Sequence, residues 1–207
     1  MPDDKAPNEQ AAAPAASQVF QHTNYLVRRK VFKMFGAEFK IFDPDGKVAF
    51  FSKQKAFKLR EDIRIYTGKD MGTEVLPIMA RKIIDFSSAY DVVDPVGNVK
   101  VGALKRKGMK SIVRDEWIIM DANDKEIGSI QEDSMLLALI RRLLTTLIPQ
   151  KYHGTIGGKM VCLFKQNFNP FVMKIKLDYS MDTEGLLDRR LGIAGAILLC
   201  AIEGKQA

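Results

Sequence analysis

Two tight runs of cations are the residues whose types and spacing could do chemistry. They are Arg28-Arg29-Lys30 followed by Lys33, and Lys105-Arg106-Lys107 followed by Lys110. Clustered guanidinium and ammonium groups recruit phosphate oxygens, each worth about 1 kcal/mol beside an anionic membrane surface. The first run falls on a predicted strand and the second at a tight turn between two strands. The competing reading is a solvated rim of charge that keeps strand edges from pairing with other chains. The charge balance admits an anionic partner. The chain carries +7 overall, while its first eighteen residues hold Asp3, Asp4 and Glu9 against Lys5 and contribute −2, so the remainder carries +9. A body this basic suits a phospholipid headgroup or a nucleic acid.

Nothing comparable points to catalysis. His22 and His153 are the only histidines, and neither stands in a motif. Gly-x-Ser-x-Gly, Cys-x-x-Cys and His-Glu-x-x-His do not occur, nor does a glycine-rich loop opening a helix. The stretch Gly154-Thr-Ile-Gly-Gly158 leads into a strand and reads as a hairpin turn. Asp43, Asp45, Asp94 and Asp121 could suggest a metal, but they fall in separate turns, where an Asp has sufficient work bonding its own backbone. The expectation is therefore no catalytic residue, no metal ligands, no cofactor and no enzyme. Cys162 and Cys200 sit in apolar runs, where a free thiol behaves as a small hydrophobe. Two cysteines are too few for a disulfide framework and fit a reducing compartment. The opening Met1-Pro-Asp-Asp-Lys lacks a signal-peptide layout, so the expected location is cytoplasmic, with peripheral membrane contact.

The elements that must position these residues are mostly short strands. Phe39–Phe42, Asp43–Lys47 and Val48–Phe51 read as strand, turn and strand. Tyr90–Val93, Asp94–Asn98 and Val99–Val101 repeat the pattern, as do Trp117–Met120, Asp121–Lys125 and Glu126–Gly128. In each, Asp caps the turn, and in the first two Gly supplies the positive φ. Ile65-Tyr66 leading through Gly68 and Gly72 to Val75 is a looser version, and His153–Gly158 leading into Lys159–Phe164 is another. Period-two alternation, as in Phe171, Met173, Ile175 and Leu177 around Lys174 and Lys176, means one buried face and one wet face. The segments amount to about twelve strands at the usual length of five to eight residues. Consecutive hairpins make a meander, and a sheet this wide tends to close. Residues 1–19, with Ala/Pro-rich Ala11–Ala16, read as a disordered leader, and 20–207 as one barrel domain.

Two segments read as helices. Ser134–Ile148 follows a capping Asp133-Ser134, ends at Pro149 and carries a leucine-rich stripe opposite Arg141 and Arg142. It could meet a membrane interface or dock a protein partner, or simply pack on the barrel. Leu186–Glu203 is apolar all round from Leu191 to Ile202, which marks a core helix or a membrane span. Those apolar residues reach roughly 18 Å at about 1.5 Å each, against about 30 Å of hydrocarbon. A barrel can bury such a helix on every side: about twelve strands leave room for a rod about 10 Å across. Gly192 and Gly195 keep it thin where the wall comes close.

The repeated strand–turn–strand units, together with the final Asp188-Arg189-Arg190-Leu191 before small apolar residues, resemble the tubby-like superfamily over roughly Tyr25 to Glu203. Within it, the chain is most similar to the LURP-one-related and phospholipid-scramblase-like branch. The resemblance implies a closed antiparallel barrel around a buried C-terminal helix. It also implies lipid or phosphoinositide association in several members and a nucleic-acid or transcriptional role in some. Asn167–Lys174 lacks the acidic calcium ligands that scramblases carry before the terminal helix, and the palmitoylated cysteine cluster is missing, so calcium-driven scrambling is not expected. The leading expectation is a non-catalytic intracellular protein that binds anionic phospholipid or a phosphorylated ligand through basic barrel loops. One alternative is a nucleic-acid-binding or regulatory protein-interaction module, against which the lack of stacking aromatics in Lys105–Lys110 counts. Another is a membrane-anchored, scramblase-like protein spanning with Leu186–Glu203.

Overall fold

The structure, a computed structural model, describes residues 20–32, 36–54, 62–81, 88–107, 116–133, 150–167 and 172–202. Twelve strands follow one another among the described residues. They are β1 (Asn24–Phe32), β2 (Gly36–Phe42), β3 (Val48–Gln54), β4 (Ile63–Tyr66), β5 (Glu74–Ala80) and β6 (Ala89–Asp94), then β7 (Val99–Arg106), β8 (Glu116–Met120), β9 (Glu126–Glu132), β10 (Lys151–Ile156), β11 (Lys159–Gln166) and β12 (Val172–Asp178). Each pairs antiparallel with its neighbours in sequence, and β1 pairs with β12 from Asn24↔Asp178 to Lys30↔Val172, which closes the barrel. Closure leaves no edge strand among the described residues.

In a meander the connections alternate between ends. The tight turns at 43–47, 95–98, 121–125 and 157–158, with the looser 67–73, therefore share one end. They work as the sequence predicts. Asp43 accepts the Lys47 amide at 2.8 Å, Asp94 the Val96 amide at 2.9 Å, and Asp121 the Asn123 and Lys125 amides at 2.9 Å. One turn is narrower than the sequence suggests. β10 continues through Gly154 to Ile156, with a shift of register against β11 between Gly154 and Thr155, and Gly157 and Gly158, at φ 55° and 79°, turn the chain. Paired positive φ is the two-residue geometry that matches strand twist. Gly154 is needed instead for close approach: a Cβ there would lie 2.4 Å from the Cys162 sulfur.

The helix α1 (Arg189–Ile202) starts at this hairpin end and fills the barrel, with every residue from Leu191 to Ala201 buried. Phe39, Phe50, Tyr90, Trp117, Tyr152 and Phe164 from the wall share its core. Each aliphatic side chain buried this way contributes about 1.5–3 kcal/mol. The helix begins three residues later than its composition suggests, because Asp182 holds the preceding residues in a turn, accepting the amides of Leu186 at 2.8 Å and Leu187 at 3.2 Å. Asp188 then caps the helix by accepting the Arg190 amide at 2.9 Å. Two arginines at the positive end of a helix would be unfavourable alone. Arg189 lies 4.3 Å from the Tyr179 ring centre and 3.4 Å from Asp182. Arg190 bridges Asp188 and Asp94, each at 2.6 Å. Asp-Arg-Arg-Leu is thus the bolt that fixes the helix to the β6–β7 hairpin. The span reading of Leu186–Glu203 is thereby corrected, since Leu191 to Ala201 lie buried inside the barrel. No helix among the described residues is long and apolar enough to cross a membrane.

Candidate functional site

Strand alternation separates the residues of the first basic run. Arg28 lies on the outer face, and Lys30 is exposed. Arg29, between them, points inward and is 3% exposed. Its Nη1 donates to the Cys200 carbonyl at 2.7 Å, at the last turn of α1. Burial pulls its pKa below the ordinary arginine value. Arg29 therefore does not belong to a surface anion site as expected; a period of two sends it to the core, where it closes the helix C-terminus. Lys33 and Lys110 lie outside the described residues, as do the leader 1–19 and the segment 134–148.

The two basic runs do not form one surface. β7 is six strands from β1 in either direction around the ring, so Lys105, Arg106 and Lys107 lie on the opposite side from Arg28. Nor are these residues confined to loops, since Arg28 to Lys30 and Lys105 to Arg106 are in strands. Lys107 is already paired with Glu116 at 2.7 Å. Ion pairs also balance the wall nearby: Arg81 and Lys100 share Asp91 and Asp124, with Lys100 at 3.3 and 2.6 Å from them. The guanidinium of Arg81 is held above its usual range, first by its hydrogen bond with Asp91.

The opposite wall is different. Register sets Lys151 of β10 against Lys165 of β11, and Lys165 against Lys176 of β12. One row along, Lys174 of β12 opposes Arg28 of β1, which in turn opposes Lys40 of β2. Lys40 is neutralised by Glu38 at 2.8 Å. Among the described residues, no ion pair engages Arg28, Lys151, Lys165, Lys174 or Lys176. Asp178 of β12 is an acid near Lys165 and Lys176. Its carboxyl sits below the usual range chiefly because the Ser180 amide bonds it, with Lys176 and Lys165 adding a smaller pull. Directly opposed residues have Cβ atoms about 5 Å apart, so like charges at these positions repel. Four of these five residues stand outside the runs visible in the sequence. The available signal was the spacing of Lys174 and Lys176 on the wet face of a predicted strand.

The two histidines have local partners. His153 Nδ1 lies 2.6 Å from an Asp133 oxygen on the outer face, and the His22 backbone donates to the Tyr25 hydroxyl at 3.2 Å. Burial pushes the Cys162 and Cys200 thiols up to about 12, so they are protonated and inert at neutral pH. Cations gathered on one wall create a local positive potential.

A crystal structure of a protein from Arabidopsis thaliana is similar at 14% identity and a TM-score of 0.48, over 88% of this chain and 93% of that one. No curated protein matches. The family model described as LURP-one-related matches residues 48–199, from β3 into α1. The match covers well over half the chain, and with the closed barrel and its central helix in view, the chain belongs to the LURP-one-related family.

Proposed function

We propose that this is a non-catalytic protein that binds an anionic, phosphate-bearing ligand, either a phospholipid or another phosphorylated ligand. The binding face is the outer wall made by β10, β11, β12, β1 and β2. The observation that carries this reading is the set of opposed cations there that no ion pair engages among the described residues: Lys151–Lys165–Lys176 in one row and Lys174–Arg28 in the next. Like charges directly opposite one another on a sheet cost about 0.2–1 kcal/mol per pair. An anionic surface laid on this wall converts that repulsion into attraction. The lipid association implied by the tubby-like resemblance supports the same reading. Lys105 and Arg106, on the far side, are at most a second, weaker contact.

Vesicle co-sedimentation tests it. Binding is expected to vesicles containing phosphatidylserine and not to pure phosphatidylcholine, and it should weaken as salt screens the surface. Lys165→Glu with Lys176→Glu should reduce it more than Lys105→Glu with Arg106→Glu. Equal binding to both vesicle types, indifferent to the Lys165→Glu/Lys176→Glu pair, refutes the proposal.

A further inference from the structure

The cationic wall is not flat. Where it meets the hairpin end it holds an open pocket of about 620 Å³, formed by β1, β12 and the overhanging β2–β3 turn. Arg28, Lys174 and Lys176 contribute its cations, Leu26 and Phe42 its apolar floor, and Asp43 its single carboxylate. The Arg28 guanidinium carbon stands 5.1 Å from the centre of the Phe42 ring. A guanidinium stacked on an aromatic face keeps its in-plane N–H groups for an acceptor, so Phe42 orders Arg28 without consuming it. Asp43 already closes the turn, accepting the Lys47 amide at 2.8 Å.

Three cations against one carboxylate leave the lining at +2. A phosphate monoester carries about −1.5 to −2 near neutral pH, whereas a phosphodiester carries a single charge. We infer that this pocket is a discrete site for a phosphate monoester. Its dianion sits between Arg28, Lys174 and Lys176, and its carbon skeleton lies on Leu26 and Phe42. The inference rests on the anionic-ligand reading above and narrows it from a charged wall to a saturable site with a preferred ligand class. A lipid headgroup and a soluble phosphoester share this chemistry.

The test uses the full chain and three probes. Two are phosphatidylcholine vesicles doped with phosphatidic acid, a monoester, or with phosphatidylserine, a diester, matched in surface potential. The third is glycerol 3-phosphate in solution. Binding is expected to be about tenfold tighter to phosphatidic acid, the scale of one added charge-assisted hydrogen bond. Leu26→Trp fills the pocket without altering charge and should abolish the preference while leaving phosphatidylserine binding in place. Arg28→Gln should also remove the preference, and it carries the test if the tryptophan variant fails to fold. Lys151→Gln with Lys165→Gln, outside the pocket, should weaken both lipids alike and leave the preference intact. Glycerol 3-phosphate should shift the Asn24 and Gly46 amide resonances saturably. Such shifts without vesicle binding support the site and identify a soluble phosphoester as the source. Equal binding of the two lipids, or a preference that survives both Leu26→Trp and Arg28→Gln, overturns the pocket while the charged wall stands. Binding to none of the three probes overturns both.

Discussion

Arg28 and Arg29 are adjacent in sequence and have unrelated jobs. Arg28 lies against Phe42 on the outer wall, while Arg29 reaches the Cys200 carbonyl inside the barrel. A cation at a helix C-terminus also complements the macrodipole. Arg29→Ala should cost about 1.5–3 kcal/mol, the range for a hydrogen bond to a charged group, read from urea unfolding. Vesicle binding by the folded variant should be unchanged, in contrast to Arg28→Gln. The buried thiols and phenols make a second prediction at this scale. Burial raises Cys162, Cys200 and Tyr25 to about 12 and lifts Tyr179 well above its ordinary value. A group whose folded pKa is raised contributes stability that is whole below its unfolded value, about 8.5 for Cys and 10 for Tyr, and is lost as pH rises toward the folded value. The urea midpoint should therefore hold from pH 6 to 8 and fall above about pH 9. Thiol reagents at neutral pH should label only unfolded chains; labelling of native protein faster than global unfolding would contradict this burial.

At the scale of elements, α1 shows why small residues sit where they do. A Cβ on Gly192 would lie 2.2 Å from the Tyr179 hydroxyl, which itself donates to the Arg189 carbonyl at 2.8 Å. On Gly195 its tightest contact would be the Ile130 Cδ1 at 3.0 Å, with Phe164 at 3.5 Å and the Leu104 Cδ1 at 3.8 Å in ordinary contact. Replacing glycine by alanine in a helix gains about 1 kcal/mol of propensity, and overpacking costs about 1–3 kcal/mol. Gly192→Ala must displace a rigid, hydrogen-bonded ring, so it should destabilise. Gly195→Ala asks only a terminal methyl to shift and should be near neutral. Thermal unfolding of the two variants separates them, and a Gly192→Ala protein as stable as the parent would mean that the Tyr179 contact yields easily. The hairpins were legible for a related reason: Asp and Gly have local work in a turn that no distant contact needs to confirm.

For the molecule as a whole, charge is distributed by the closure of the barrel. The side carrying Arg81, Lys100 and Lys107 is laced with ion pairs, while on the β10-to-β1 wall no ion pair among the described residues engages the opposed Lys151, Lys165, Lys176, Lys174 and Arg28. Such frustration is characteristic of functional surfaces. It implies a trade. Lys165→Glu alone replaces two repulsive pairings, with Lys151 and with Lys176, by attractive ones. It should raise stability by about 0.5–2 kcal/mol at low salt, seen in the urea midpoint, while lowering affinity for anionic vesicles. If stability and binding fall together, the wall is not a site of stored repulsion.

Local and periodic information sufficed for much of this architecture. Turn chemistry marked the hairpins, period-two alternation marked the wet and dry faces, and an all-apolar segment too short for a bilayer implied a barrel wide enough to hold it. The basic runs were equally visible, but proximity in sequence misrepresented them. A strand sends neighbours to opposite faces, so Arg29 left the surface, and the ring put Lys105 six strands from Arg28. The candidate site itself was hidden because Lys151, Lys165, Lys174 and Lys176 come from three strands. Only the register between β10, β11 and β12, and the β1–β12 pairing that closes the barrel, brings them beside Arg28. Register depends on long-range packing of the inner faces against α1, and that is decided by the tertiary structure.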